Sequence, residues 1–498
     1  MFLHYLPFAT MIFDSWGILI FFIAIADIAT VIHILENKHE EPTSAILWIF
    51  IIANFHIVGI FFYLLLGINR IKTTGLKISK ANKSMKNARE NKNCSFLPYL
   101  NLVSIFHSKT DKEYMKILDR LLPETYPTEG NKVDLLEDGT HAYPQMIAAI
   151  ENAKKHIHLQ SFIIVDDELG NKIFEALERK AKNENVKVKV LFDRLGSSKA
   201  YSSHFFRKWT KNNPNFEIMA FSKFSLLVPY RIQLRNHRKI LICDGEVAFV
   251  GGINISAEND ANLKPKYIHD LHCKITGPCV GEFQFSFLQD WSFTTKTDPE
   301  ILLSEPDYFA SPDREGNAIV RIVPSGPGQS YEATKKLFMT IAATAKKSLW
   351  IITPYFVPDN SFLDALRIAA ARNVDVRILI PENNNHWYVR YASKSLYNRL
   401  LRSNIRIFEK RGLFSHVKAV LIDGQWAMMG SSNCDLRSFR LNYEVDFIAE
   451  GENFINRLHL QFSSEFEESQ EITLHDREKR TKIEEILENF CSLFIPIL

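Results

Sequence analysis

An internal duplication constrains this chain more than any other feature. The stretch AKKHIHLQSFIIVDD (Ala153 to Asp167) aligns with AKKSLWIITPYFVPD (Ala345 to Asp359) at a constant offset of 192 residues. Each copy is a short apolar, β-branched run bounded by polar residues, the pattern of a buried strand. A stretch of helical period follows in each, GNKIFEALERKAKNE in the first and NSFLDALRIAAARN in the second. A second apolar run then closes the unit, Val186 to Phe192 or Val374 to Ile380. Strand, helix, strand in that order predicts an α/β sheet with helical cover. Two copies of so large a unit predict two related lobes, since a solenoid is built from more repeats.

Both repeats close on the same spaced pattern. NHRKILICDGEVAFVGGIN supplies His237, Lys239, Asp244, Gly251 and Asn254, and SHVKAVLIDGQWAMMGSSN supplies His416, Lys418, Asp423, Gly430 and Asn433. Each reads H-x-K-x4-D-x6-G-x2-N. With fixed positions at about one in twenty each, one copy arises by chance in roughly one sequence of this length in several thousand. In a strand, residues two apart share a face, so each pair presents an imidazole and a cation to one point. Two imidazoles suit a two-step transfer at phosphorus: one attacks, and the other protonates the departing oxygen. Paired lysines can neutralise the non-bridging oxygens, a task otherwise given to a metal. The Gly permits close backbone approach, and the Asn offers an amide donor to phosphate.

The rest of the composition sets limits. The 498 residues leave room for two or three domains or one large duplicated one. A net charge of +3 is too small to argue for nucleic acid. Six scattered cysteines form no CxxC pair, which argues for reduced thiols in a cytosolic compartment and against a zinc site.

Two apolar stretches precede the repeats, Trp16 to Leu35, interrupted by Asp27 and His33, and Ala45 to Gly67. At about 1.5 Å per residue each can cross a ~30 Å hydrocarbon layer; a pair of buried core helices is the competing reading. The loop between them, Glu36 to Ser44, is acidic, whereas Ile68 to Asn93 carries eight Lys or Arg against Glu90 alone. The excess of positive charge predicts a hairpin with everything after about residue 68 in the cytosol. It also predicts that the basic segment lies against anionic headgroups, at about 1 kcal/mol per cation.

The two H-x-K-x4-D motifs resemble the signatures of the phospholipase D superfamily. HDLHCKITGP (His269 to Pro278), QDW (Gln289 to Trp291), VPSGP (Val323 to Pro327), TPYFVPD (Thr353 to Asp359) and NCDLRSFRLNYE (Asn433 to Glu444), in that order, resemble bacterial cardiolipin synthases in particular. The resemblance implies a duplicated phospholipase D-type α/β fold, two pseudo-twofold related lobes behind a transmembrane hairpin. It implies catalytic His237, Lys239, Asp244, His416, Lys418 and Asp423, with Asn254, Asn433, Asp270 and Glu444 orienting them or binding phosphate. Glu444 is expected against His237 and Asp270 against His416, with Asp244 and Asp423 bracing backbone or lysine partners. PENNNHWY (Pro381 to Tyr388) and SKS around Lys394 depart from the family pattern, which touches substrate detail. IEEILENFCSLFIPIL at the C-terminus is either an amphipathic helix that touches the bilayer or ordinary core packing.

The expected organisation is a hairpin anchor over residues 1–67, a basic linker and lead-in over 68–130, and lobes over 131–310 and 311–498. The expected reaction transfers a phosphatidyl group from one phosphatidylglycerol to another, without metal or cofactor, at the cytoplasmic face of a bacterial membrane. A phospholipase D hydrolase shares the first step, and a membrane-tethered nuclease or a scaffold are more distant alternatives. Phospholipid and membrane are the expected partners and nucleic acid is not; oligomeric state is left open.

Overall fold

The computed structural model describes residues 6–38, 42–67, 71–90, 112–210, 213–221, 234–310, 313–327 and 332–495. It forms two compact units, Met1–Thr73 and Thr74–Leu498. In the first, helices Leu6–Asn37 and Pro42–Phe62 contain the segments Gly17–Asn37 and Ser44–Phe62, with mean hydropathies of 2.6 and 2.3. Both are long and apolar enough to cross a membrane. Phe21, Phe22, Phe50, Phe55 and Phe61 are exposed on them, a poor surface for water and a good one for lipid. The polar interruptions find each other across the hairpin. His56 Nδ1 lies 2.7 Å from Asp27 Oδ2, and His33 Nδ1 lies 2.9 Å from the Tyr63 hydroxyl. Pairing is how polar groups are tolerated in an apolar medium.

The basic stretch forms a helix, Ile71–Glu90, and in the second unit its Arg89 pairs with Glu282 at 2.7 Å. Helix Glu113–Leu121, expected within the lead-in, belongs to the second lobe's core. Tyr114, Met115, Leu118 and Leu122 form one helical stripe buried with Val323, Ile341 and Met428, and Tyr114 stacks on Trp426 with ring centroids 3.9 Å apart.

Among the described residues, one sheet of fifteen strands runs through both lobes. The first repeat contributes β1 (Pro127–Glu137), β2 (His156–Ser161), β3 (Lys187–Phe192), β4 (Phe216–Ala220), β5 (Ile240–Cys243), β6 (Val247–Gly251) and β7 (Leu271–Thr276). The second contributes β8 (Ala318–Ser325), β9 (Ser348–Ile352), β11 (Asp375–Pro381), β12 (Arg406–Lys410), β13 (Ala419–Ile422), β14 (Trp426–Gly430), β16 (Glu444–Glu450) and β17 (Ser469–Ile472). A separate parallel pair joins β10 (Phe356–Val357) to β15 (Cys434–Asp435).

The centre of the sheet is the antiparallel pair β1–β8. Outward from it the orders match strand for strand, β7-β6-β5-β2-β3-β4 on one side and β16-β14-β13-β9-β11-β12 on the other, where β17 adds an edge. The expected strand–helix–strand units are the parallel pairs β2–β3 and β9–β11, crossed over by helices Glu168–Asn183 and Asn360–Ala371. Asp167 and Asp359, matched by the 192-residue offset, cap those helices by accepting from Gly170 N and Phe362 N. Each lobe has its own core, with Ile157, Leu159, Phe174 and Val190 in the first and Leu349, Ile351, Leu366 and Ile378 in the second. Burying each such side chain contributes about 1.5–3 kcal/mol, so each lobe holds its half of the site on a rigid platform.

Candidate active site

Each H-x-K pair lies in an extended run leading into a strand, not within the strand itself. His237 and Lys239 precede β5, and His416 and Lys418 precede β13. These runs are tied to the opposite repeat by backbone. His237 N donates to Tyr443 O at 2.8 Å, and His416 N donates to His269 O at 2.7 Å. Tyr443 and His269 immediately precede Glu444 and Asp270, so the same bonds deliver each carboxylate to the other repeat's histidine. Glu444 Oε2 lies 3.0 Å from His237 Nδ1, and Asp270 Oδ2 lies 2.7 Å from His416 Nδ1. A carboxylate facing Nδ1 accepts a hydrogen bond from the Nδ1–H and leaves Nε2 as the reactive nitrogen of each ring.

The carboxylates are fully buried and differently held. Glu444 receives Ser431 Oγ at 2.6 Å, Ser438 Oγ at 2.9 Å and Asn442 Nδ2 at 3.1 Å. Asp270 Oδ1 receives Leu271 N at 2.9 Å, and its backbone is clasped by Asp138: Asp270 N donates to Asp138 Oδ1 and Asp138 N donates to Asp270 O, each at 2.9 Å. Asp138 also lies 2.8 Å from His269 Nδ1, whose Nε2 is 2.8 Å from Glu465 of the second lobe. Burial alone would lower the His269 pKa, but the two carboxylates outweigh it and hold the ring charged, at about 10. Glu137, Asp138 and His269 bring ligand atoms within 4.8 Å of one another. With both ring nitrogens facing carboxylates, this cluster reads as a clamp between lobes and not as a metal site.

The lysines set the electrostatics. Lys418 Nζ lies 2.8 and 3.3 Å from the two nitrogens of His416 and 3.6 Å from Asp270. Lys239 Nζ donates to His237 O at 2.6 Å and stands 5.4 Å from the Phe162 ring centroid. Burial, then the neighbouring Lys418, pushes Lys239 down to about 7. Burial followed by Lys418 takes His416 down to about 4. Burial lowers His237 too, against the opposing pull of Glu444. For Asp270 and Glu444 burial would raise the pKa, yet the cations beside them prevail and both carboxyls lie below their usual range. The site is therefore a desolvated, cationic pocket with neutral imidazoles, built to receive an anion.

The remaining expected residues stand elsewhere. Asp244 and Asp423 sit in the left-handed turns after β5 and β13, with φ of 56° and 55°. Asp244 accepts from the backbone N–H groups of Lys154, Lys155 and His156 at 2.7–2.9 Å. Asp423 does the same for Lys346, Lys347 and Ser348 at 2.6–3.0 Å. Both carboxylates join the strand entry of their own lobe and are not brought to the His–Lys cluster. Asn254 Oδ1 accepts from Ile163 N at 3.2 Å, whereas buried Asn433 Oδ1 has no hydrogen-bond partner among the described residues. Gly252 lies where a Cβ would sit 2.1 Å from Asp270 Oδ1, which is the close approach that admits the carboxylate.

Sequence reasoning missed Ser431, Ser438, Asn442, Asp138 and Glu465 as supports, and Phe162 and Tyr355 as walls. The ring of Phe162 stands 4.8 Å from that of His237, and Tyr355 stands 6.3 Å from His416. TPYFVPD and NCDLRSFRLNYE carry Tyr355, Ser438 and Asn442, and their order along the chain was the only available signal.

Fold and site together define a two-lobed protein of the phospholipase D type, with one site made from both halves. A family model described as "Cardiolipin synthase, PLD-like domain" matches residues 146–291 and 339–468, one segment in each repeat. A second, "Phospholipase_D-nuclease N-terminal", matches residues 19–67. A cardiolipin synthase from Alkalihalophilus pseudofirmus is 34% identical over 470 residues, covering 93% of this chain and 90% of that protein. One from Clostridium perfringens is 34% identical over 477 residues, covering 93% and 96%. The crystal structure of a phosphatidylserine synthase from Haemophilus influenzae superposes with a TM-score of 0.59 at 14% identity, over 78% of this chain and 98% of that one, and supports the fold. The chain belongs to the cardiolipin synthase family of phospholipase D-like proteins.

Proposed function

We propose that this protein is a cardiolipin synthase acting on phosphatidylglycerol. The reading is supported chiefly by the reciprocal pairing of each motif histidine with a buried carboxylate of the other repeat. That arrangement gives two Nδ1-anchored imidazoles and two lysines around one point. In the first step His237 Nε2 attacks phosphorus, the P–O bond to the headgroup glycerol breaks, and His416 gives that oxygen its proton. In the second, His416 removes the proton from a hydroxyl of a second phosphatidylglycerol, whose oxygen displaces His237 from phosphorus. Cardiolipin and glycerol are the products, and both imidazoles return to their starting states.

The lowered pKa of His416 fits the resting enzyme and not yet the acid. A phosphodiester anion seated between Lys239 and Lys418 cancels the field that expels the proton, so substrate binding itself charges His416. A hydrolase would use water in the second step. The exposed apolar hairpin supports a lipid acceptor delivered in the membrane plane.

Labelled phosphatidylglycerol as sole substrate should give cardiolipin and free glycerol; phosphatidic acid as the main product would sink the synthase reading. With an activated leaving group, H416A should still accumulate a phosphatidyl-enzyme slowly and H237A should not. An adduct on His416 reverses the roles. We place residues 68–498 on the cytoplasmic side of a bacterial membrane, from the basic flank after the second span. Cysteines introduced between Glu36 and Ser44 should react with an impermeant thiol reagent in intact cells, and protection of that loop would reverse the orientation.

A further inference from the structure

Helix Lys482–Ser492 closes the chain with two apolar faces. The inner one, Leu487 and Cys491, packs with Ile495 against Val357, Val389 and Ala392 and against the rings of Tyr355 and Tyr391. Tyr355 is the residue whose ring faces His416, so this helix buttresses one wall of the site. It is firmly held: Thr481 and Glu484 form a capping box, and Arg477 and Arg480 bind buried Glu488 at 2.5 and 3.2 Å.

Among the described residues, nothing lies over the outer face. Ile483, Ile486, Phe490, Leu493 and Phe494 are 78, 60, 53, 73 and 41% exposed. At 3.6 residues per turn Ile483, Ile486 and Phe490 fall within about 60° of arc. Leu493 and Phe494 continue the stripe past the helix end, where the Phe494 ring stands 5.3 Å from that of Phe490. Single exposed apolar residues are ordinary, but a continuous stripe of five marks a surface that is covered in the working protein. Helix Trp387–Leu401 packs beside it and begins with Trp387, 60% exposed, followed by Tyr388. Trp and Tyr are the residues that favour the headgroup level of a membrane.

Two facts select what covers the stripe. The first unit of the same chain presents helices suited to lipid, so the second unit works beside a bilayer. The buttressed wall belongs to a site read here as acting on phospholipid, a reading on which this inference rests. We propose that the stripe Ile483–Ile486–Phe490–Leu493–Phe494, with Trp387, seats in the acyl boundary of the bilayer. There it lets a phospholipid reach the two histidines along Tyr355 while its chains stay in the membrane. A surface helix of this kind binds through its buried apolar area.

The full chain in proteoliposomes supplies the test. In a C94S background, with the other cysteines buried, F490C carrying an environment-sensitive fluorophore should be quenched several-fold by lipids spin-labelled on the acyl chain. The same label on E175C, exposed on helix Glu168–Asn183, should not be. The triple variant I483E/I486E/F490E should melt like the wild type and lose at least tenfold activity on bilayer phosphatidylglycerol. On dihexanoyl phosphatidylglycerol dissolved as monomers it should stay within twofold. Absence of quenching at 490, or equal losses on both substrates, overturns the proposal, as does energy transfer between labelled copies that replaces quenching. Quenching in an enzyme inert on both lipids leaves the seat standing and removes the assigned reaction.

Discussion

The two H-x-K-x4-D motifs are alike in sequence and unlike in setting. His237 meets a glutamate fixed by neutral donors, Ser431, Ser438 and Asn442, and its lysine donates to the His237 carbonyl, a bond that Lys418 also makes to its own histidine. His416 meets an aspartate locked through Asp138 and a charged His269, and its lysine lies against the imidazole. The duplicated motifs are equal in sequence, and their surroundings make them unequal. In the proposed two-step displacement one ring bonds to phosphorus while the other trades protons, and these settings distinguish the two rings.

The sharpest way to break the comparison is to remove one carboxylate at a time. We expect D270N to lower turnover on the order of 10^3- to 10^4-fold, and E444Q on the order of 10^2- to 10^3-fold, since a lost orienting acid costs up to about 10^4. The ranking follows from Lys418: without Asp270 its charge bears on His416 unopposed, whereas Glu444 is surrounded by donors that an amide still satisfies. Turnover numbers at saturating lipid check this, and equal losses would mean that the two settings are equivalent.

Acid should separate the lobes next. The first repeat buries His156, His158 and His272, with His156 and His272 pushed to about 4 by burial. The 192-residue offset puts Ser348 and Trp350 where His156 and His158 stand. In the sheet Asp446 faces Gly430 as His272 faces Gly251, and burial raises Asp446 to about 7. A folded pKa below the unfolded 6.5 gives stability that is complete above 6.5 and lost as pH falls toward 4, of order 3 kcal/mol per histidine. A folded pKa above the unfolded value does the opposite: stability from Asp446 is complete below about 4 and lost as pH rises through 7. Hydrogen exchange, corrected for intrinsic rate, should therefore quicken in β2 and β7 between pH 7.5 and 5 and slow in β16. Parallel changes in both lobes would refute the contrast.

The smallest effect is expected at the motif aspartates. D244N should cost about 1–2 kcal/mol and D423N less, because Asp244 is buried and Asp423 is not, and Asn tolerates the left-handed turn. Activity should stay within about tenfold in both. Thermal melts and initial rates measure the pair, and a catalytic loss without destabilisation would return these residues to the chemistry.

Much of this was readable from the chain. The duplication carried the strand–helix–strand units and the two related lobes, since apolar runs report local structure. The motif spacing singled out the histidines and lysines because chance rarely repeats five positions. Supports that lie far away in sequence were not readable. Asp138 lies 131 residues from His269, and nothing local marks either as a clamp. Ser431 and Ser438 are too common a residue type to stand out. Helix Glu113–Leu121 read as lead-in because its partners, Trp426 among them, lie some three hundred residues away. Asp27 and His56 interrupted an apolar pattern, and only the folded hairpin gives them to each other.

The crossed delivery of the carboxylates also bears on inheritance. A duplicated gene ordinarily leaves one copy free to drift. Here the backbone that carries Asp270 belongs to the half that owns His237, and the backbone that carries Glu444 belongs to the half that owns His416. Loss of either half strips the other half's histidine of the carboxylate that faces it, so under the proposed mechanism neither copy can be retired. A fragment bearing a single motif lacks, by itself, the carboxylate that faces its histidine in the full chain.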